Sequence, residues 1–237
     1  VVITSQVPTG ANPNEPAAYG TIADQPFSSL PLSGWTSGGT PVAASDPTAP
    51  KSPSGILRAS YPVGYGDGTG PWVVEHTIPQ LTSVYYHLTF KYSANFQGHS
   101  TGVNKLGFVW VHSNPAVVFE GFGAGAGNLV AVVMLQNVPD ARSKLSPNQG
   151  RSGVISRGVW HDLEVQLVAN TGGGANGVVR WWLDGQLIGQ YTDYTFASAG
   201  QSNTWELMSI YPIWGGRGDA VVSPMSVDFD HIYGSGK

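Results

Sequence analysis

Cysteine is absent from the 237 residues. That excludes a disulfide framework, a thiolate metal site and a cysteine nucleophile. Charge is scarce as well: Asp, Glu, Lys and Arg make up 11% of the chain, against about a quarter in an ordinary soluble domain. Ser, Thr, Asn, Gln, Gly and Tyr must therefore cover the surface, as they do in exported proteins that meet neutral or weakly charged polymers. The net charge is −4 and no Lys/Arg run occurs, which argues against nucleic acid as a partner. No apolar stretch approaches about 18 residues, so no membrane span is expected. The stretch Val1–Gly10 lacks the basic start and apolar run of a signal peptide; the expectation is a secreted or extracellular protein whose signal has been removed. His-Glu-x-x-His, Gly-x-Ser-x-Gly and phosphate-loop patterns are also missing. The glycines at 121–127 (GFGAGAG) precede neither a helix nor a Lys-Ser/Thr pair, and read as a strand connection.

What is present is turn chemistry and strand periodicity. The chain holds 32 Gly and 17 Pro, with 41% hydrophobic residues, enough to build a core of many short strands. Residues 1–54 are rich in Pro, Ser, Thr, Ala and Gly, interrupted by Phe27, Leu30, Leu32 and Trp35. They read as an extended arm docked on the body by those apolar residues. From residue 55 onward, strands are expected at 55–61, 73–78, 84–93, 105–112, 117–122, 129–136, 160–168, 178–183, 186–191, 205–212 and 227–233. In VYYHLTFKYS (84–93), Tyr86, Leu88, Phe90 and Tyr92 alternate with His87, Thr89, Lys91 and Ser93, the pattern of a half-buried strand. Asp184-Gly185 between two such runs marks a hairpin. No helix and no long repeat is expected. These features predict one all-β domain, a two-sheet antiparallel β-sandwich of jelly-roll (concanavalin-A-like) type, with the arm at 1–54 and the jelly roll at 55–237. A large curved jelly roll offers a face long enough for several sugar units.

Four segments carry a resemblance to jelly-roll polysaccharide lyases of the alginate and glucuronan type. They are Arg58-Ala-Ser-Tyr-Pro-Val-Gly-Tyr-Gly-Asp-Gly68; HLTFKYSANF (87–96) with Gly102-Val-Asn-Lys-Leu-Gly107; Gly158-Val-Trp with Asn176-Gly through Asp184-Gly185; and Trp214-Gly-Gly216 with Asp228-Phe-Asp-His-Ile-Tyr233. The resemblance implies a carbohydrate polymer as partner, β-elimination on uronic acids as activity, and Lys105 as a catalytic residue in the cleft. It departs in one place. The family's Ser-x-Arg and Tyr-x-Tyr strands are replaced by LVAVVMLQN (129–137).

Such a lyase must neutralise a uronate carboxylate, remove the C5 proton and protonate the leaving oxygen. Candidates beside Lys105 are Arg58, His87, Lys91 and Gln136, if their strands share its groove. Tyr61, Tyr86 and Tyr211 are candidate proton donors. His99 lies in a polar loop that could edge the cleft. Trp110 and Trp214 are the indoles expected to stack on sugar rings. Asp228 and Asp230, two apart on the last strand, are candidate ligands for a structural Ca²⁺. Two other functions stay open. One is a non-catalytic carbohydrate-binding or cell-surface structural domain. The other is a glycoside hydrolase using Glu164 and Glu206, the latter beside Trp205 and able to line the groove.

Overall fold

A computed structural model describes residues 12–52, 55–66, 68–111 and 115–237. Residues 1–11 and 53–54 of the expected arm, the Asp67 bend and the strand end at His112 lie outside the described residues. In chain order the strands are β1 (Gly20–Pro26), β2 (Thr36–Gly39), β3 (Val42–Ala44), β4 (Ile56–Tyr61), β5 (Trp72–Leu81) and β6 (Ser83–Tyr92). Next come β7 (Lys105–Val111), β8 (Ala116–Phe122), β9 (Leu129–Gln136), β10 (Lys144–Leu145) and β11 (Val154–Ile155). The series ends with β12 (His161–Val168), β13 (Gly177–Leu183), β14 (Gln186–Tyr194), β15 (Trp205–Ile210) and β16 (Met225–Gly236). Among the described residues there is no helix.

The strands form two 8-stranded antiparallel sheets. The first runs β14-β13-β12-β6-β16-β4-β3, with β1 added on β16; the second runs β10-β9-β8-β7-β15-β5-β2, with β11 added on β9. This is the expected β-sandwich jelly roll. Alternate side chains meet between the sheets. Tyr86, Leu88, Phe90 and Tyr92 of β6 share one core with Leu106 and Val109 of β7, Phe119 of β8 and Trp181 of β13. Each such side chain contributes about 1.5–3 kcal/mol on burial. The sheets come close at Gly107, where a Cβ would lie 2.4 Å from the Tyr86 hydroxyl. That hydroxyl donates to the Ser209 carbonyl at 3.2 Å. Asp184 and Gly185 take φ of 51° and 73°, the left-handed pair that a two-residue hairpin requires.

The expected half-burial of β6 is corrected: all but Lys91 of its ten residues are buried, on both faces. The cause is the N-terminal segment, which lies across the outer face of the first sheet. Glu164 of β12 accepts from the Asn14 backbone and amide at 3.1 and 2.9 Å and from the Tyr85 hydroxyl. Tyr233 of β16 donates to Glu15 at 2.7 Å. His231 meets Asp24 at 2.7 Å, and Lys91 pairs with Asp46. Phe27 and Leu32 reach the core, while Leu30 stays 38% exposed.

Candidate functional site

The outer face of the second sheet is built differently. On β8, Val117 and Phe119 turn to the core, so Ala116, Val118, Glu120 and Phe122 turn outward. On β9, Val130, Val132, Met134 and Gln136 do the same. A register shift between Lys105 and Gly107 brings Lys105, Phe108 and Trp110 of β7 to this face, with Leu106 and Val109 inside.

Cross-strand pairing arranges these side chains in rows. Gln136, Ala116 and Trp110 form one. Lys144, Met134, Val118, Phe108, Ser209 and Glu75 form the next. Val132, Glu120 and Lys105 form the third. Phe108, Ala116, Val118 and Ile213 make an apolar cluster separate from the main core, with Trp110, Met134 and Tyr211 packed on it. Trp110 stacks on Phe108 with centroids 5.5 Å apart and planes 7° from parallel; Tyr211 lies 5.7 Å from the same ring. The middle of the face is closed to water at Phe108, Val118 and Glu120, while Lys105, Trp110, Met134, Gln136 and Tyr211 form a half-buried rim.

Glu120 is the unusual member. It is 1% exposed, and neither carboxyl oxygen has a hydrogen-bond partner among the described residues. Such a group ordinarily costs several kcal/mol. Burial pushes its carboxyl up to about 7, against the pull of Lys105 and Lys144. Burial likewise lowers the Lys105 ammonium from its ordinary range, while Glu120 opposes the shift. The Lys105 Nζ lies 5.3 Å from the Phe108 ring centroid and the Lys144 Nζ 3.9 Å from that of Phe122. Two cationic groups, one carboxyl that titrates near neutrality and an aromatic floor therefore share one surface.

Of the sequence-predicted residues, Lys105, Trp110, Gln136 and Tyr211 come together here, and Glu206 lies on β15 of the same sheet. The others lie elsewhere. Arg58, His87 and Lys91 belong to strands of the first sheet. Arg58 holds Asp228 through two bonds of 2.7 and 2.8 Å. His87 meets Asp162 at 2.9 Å, beneath the N-terminal segment. Tyr86 and Tyr61 are core residues whose hydroxyls bond the Ser209 and Pro212 carbonyls, and burial raises both phenols. Trp214 is 3% exposed and donates to the Gln97 carbonyl at 2.8 Å, so it is no open sugar platform. His99, expected at a solvated cleft edge, is 0% exposed, packed 4.8 Å from Trp214 and 3.7 Å from Asp219. Both lie beyond the start of β7, where Asn104 bridges to Trp214.

Two further expectations meet the structure badly. Glu164 and Glu206 sit on strands of opposite sheets. A hydrolytic dyad needs its carboxyl groups about 5–10 Å apart across one bond, and Glu164 is already engaged by Asn14 and Tyr85. Asp228 is taken by Arg58, and Asp230 accepts the Lys51 and Ser52 amides at 2.5 and 2.7 Å. Hydrogen-bond donors, not carbonyl oxygens, converge on these carboxylates, so the pair does not fit a calcium cage. No cluster of three or more metal-ligating side chains occurs among the described residues.

Sequence reasoning missed Glu120, Phe108, Met134 and Lys144. One signal was available for Glu120: it is the only ionisable residue in the apolar run AVVFEGF (116–122).

No family model matches the sequence, and no curated protein does. Solved structures match well. An alginate lyase superposes with a TM-score of 0.66, covering 90% of this chain and 96% of its own at 13% identity. A marine alginate lyase from Aplysia kurodai gives 0.62, with 92% and 98% covered at 12% identity. An endo-β-1,4-glucuronan lyase from the fungus Trichoderma reesei gives 0.59, with 92% and 96% covered at 13% identity. The chain has the fold of the jelly-roll polysaccharide lyases. At such identities the likeness is one of fold, and the site must speak for the chemistry.

Proposed function

We propose that this chain is a lyase-like, carbohydrate-active protein that takes an acidic polysaccharide on the outer face of its second sheet and cleaves it by β-elimination. One observation carries the reading: Lys105 and Lys144 flank the partnerless Glu120 carboxyl over the Phe108–Trp110 floor. Ammonium groups there attract and neutralise a uronate carboxylate, which makes the neighbouring C5–H more acidic. Solvent water takes the C5 proton, the electron pair of the C5–H bond forms the C4=C5 bond, the C4–O4 bond breaks and O4 takes a proton. Tyr211, on the same face, is the hydroxyl suited to that last transfer. Trp110 and Phe108 supply ring-stacking surface, and Gln136 an amide. The fold neighbours support the choice of polymer, since two of them are alginate lyase variants holding an alginate trisaccharide and tetrasaccharide. A polymer of this kind also fits a secreted protein.

A second reading, a non-catalytic carbohydrate-binding domain, is favoured by one feature. The outward residues of β9 begin Val130, Val132 and Met134, in the stretch where the lyase resemblance implies Ser-x-Arg and Tyr-x-Tyr strands.

Ultraviolet absorbance of unsaturated uronate ends, followed on alginate and glucuronan, separates the two. Cleavage that falls by at least about 100-fold in Lys105→Ala is the expected result. Flat traces on polymers that still retard the protein in affinity electrophoresis select the binding domain. Neither cleavage nor retardation rejects both.

A further inference from the structure

We infer that Glu120 is a proton-coupled specificity residue: seating a sugar carboxylate against Lys105 drives one solvent proton onto the Glu120 carboxyl. This rests on the reading of the face as an acidic-polysaccharide site. The geometry forces the coupling. Lys105 and Glu120 are directly paired across β7 and β8, so an anion drawn to the Lys105 ammonium arrives beside the Glu120 oxygens. Those oxygens are buried and receive no hydrogen bond among the described residues. Among the described residues, nothing but the lysines therefore offsets a second negative charge.

Among the described residues, the charged and titratable groups around Glu120 come from three elements. Lys105 reaches it from β7 and Lys144 from β10. From β6, on the core side, the Tyr92 hydroxyl accepts the Gly121 amide at 3.2 Å, and burial keeps that phenol protonated at neutral pH. The facing strand β9 supplies Val132, which does not titrate. With Glu120 ionised, the two ammonium groups and one carboxylate leave a single positive charge. A uronate would cancel it and set two carboxylates side by side in a water-poor site, an arrangement that raises the affinity of the pair for one proton. Glu120 already titrates near neutrality, so the proton is available at little cost. The protonated carboxyl, closed to water beside Lys105, then leaves the sugar carboxylate facing the two ammonium groups without a competing charge. It thereby becomes part of the ligand's recognition. A neutral sugar would produce no such uptake. The site thus distinguishes a uronate from the corresponding hexose through a residue of its own charge sign.

The test is isothermal titration calorimetry of the full chain with saturated trimannuronate, triguluronate and triglucuronate. Runs use buffers of different ionisation enthalpy between pH 5 and 9. Expected is an uptake of about one proton per bound trimer at pH 8, vanishing by pH 5, with affinity falling about tenfold per pH unit above neutrality. In Glu120→Gln the uptake disappears and affinity becomes flat over that range, with binding retained. Infrared difference spectra of the two proteins without ligand check that the titrating carboxyl is Glu120. Binding without proton uptake, or uptake that survives in Glu120→Gln, overturns the inference alone. No binding of any trimer at any pH overturns the proposed function and this inference with it.

Discussion

The two outer faces of the sandwich carry comparable chemistry put to opposite uses. Both hold carboxylates, a lysine and aromatics. On the first sheet the carboxylates and the lysine have partners. Glu164 takes Asn14 and Tyr85, Asp162 takes His87 and Thr89, and Lys91 takes Asp46. On the second sheet the Glu120 oxygens have none among the described residues. The titration behaviour follows from that difference. Burial alone would raise Asp46 and Asp162, but bonds from Lys91 and Thr48 to the one, and from His87 and Thr89 to the other, hold both at about 2. Burial without such bonds sends Glu120 the other way. The lesson is that the covered face holds its carboxylates by pairing, whereas the other face keeps one buried carboxyl, Glu120, without a hydrogen-bond partner among the described residues.

The largest expected break in this comparison is functional. Lys105→Ala should remove at least about 100-fold of lyase activity. Asp46→Asn, which cuts a charge pair on the covered face, should change turnover less than about twofold while lowering thermal stability. Equal losses in the two variants would mean that the covered face is part of the site. Next in size, Glu164→Ala leaves the Tyr85 hydroxyl and the Asn14 amide without their acceptor. It should cost about 2–4 kcal/mol in urea unfolding and speed proteolytic nicking of the N-terminal segment. An unchanged midpoint and cleavage pattern would show that this segment is held by its apolar contacts instead.

Glu120→Gln should act in the opposite direction. A carboxyl whose affinity for protons is higher folded than unfolded stabilises the fold at low pH and loses that contribution as pH rises from about 4.5 to about 7. The glutamine variant should therefore match the wild type near pH 4 and exceed it by about 1–3 kcal/mol at pH 8. A variant less stable at pH 8 would reveal an unseen partner for the carboxylate. The smallest effect is acid loosening of the covered face. Asp46 and Asp162 are held below their ordinary values, so their stabilisation is present above about 4 and is lost as pH falls toward about 2. Hydrogen exchange should show β6 amides under the segment losing protection in that window before those of β8.

The body of the sandwich was readable from period-two alternation. β9 runs from Leu129 to Gln136 as expected, and β12, β13 and β14 fall within a few residues of their expected bounds. Five strands escaped: β1, β2 and β3, which contain Gly, Pro and Ala and have little apolar contrast, and β10 and β11, which are two residues each. They pair because a neighbouring edge is available, a tertiary cause that local pattern does not carry. The site was harder for a related reason. Alternation says that His87 and Phe90 point to opposite sides of one strand. It does not say which sheet that strand joins, or whether another segment covers its outer side. Thus Lys105, Trp110, Gln136 and Tyr211 fell on the face of the second sheet while Arg58, His87 and Lys91 fell on the first, where Asp228 holds Arg58, Asp162 meets His87 and Asp46 of the N-terminal segment pairs with Lys91. Glu120 needed the cross-strand register before its neighbours could be named.

One pairing has a consequence for how the molecule is made. β16 lies between β6 and β4 in the interior of the first sheet, and β1 is added on β16, with Gly20 opposite Gly236. A ribosome therefore produces β1 more than 200 residues before its partner. Until residue 236 emerges, β4 and β6 have a gap between them and the N-terminal segment has an incomplete surface to dock on. The nascent chain must be kept from aggregating through its unpaired strand edges until β16 has been made. Loss of residues 225–236 would remove a central strand, so a chain cut short of β16 carries in its own topology a bar to completing the sheet.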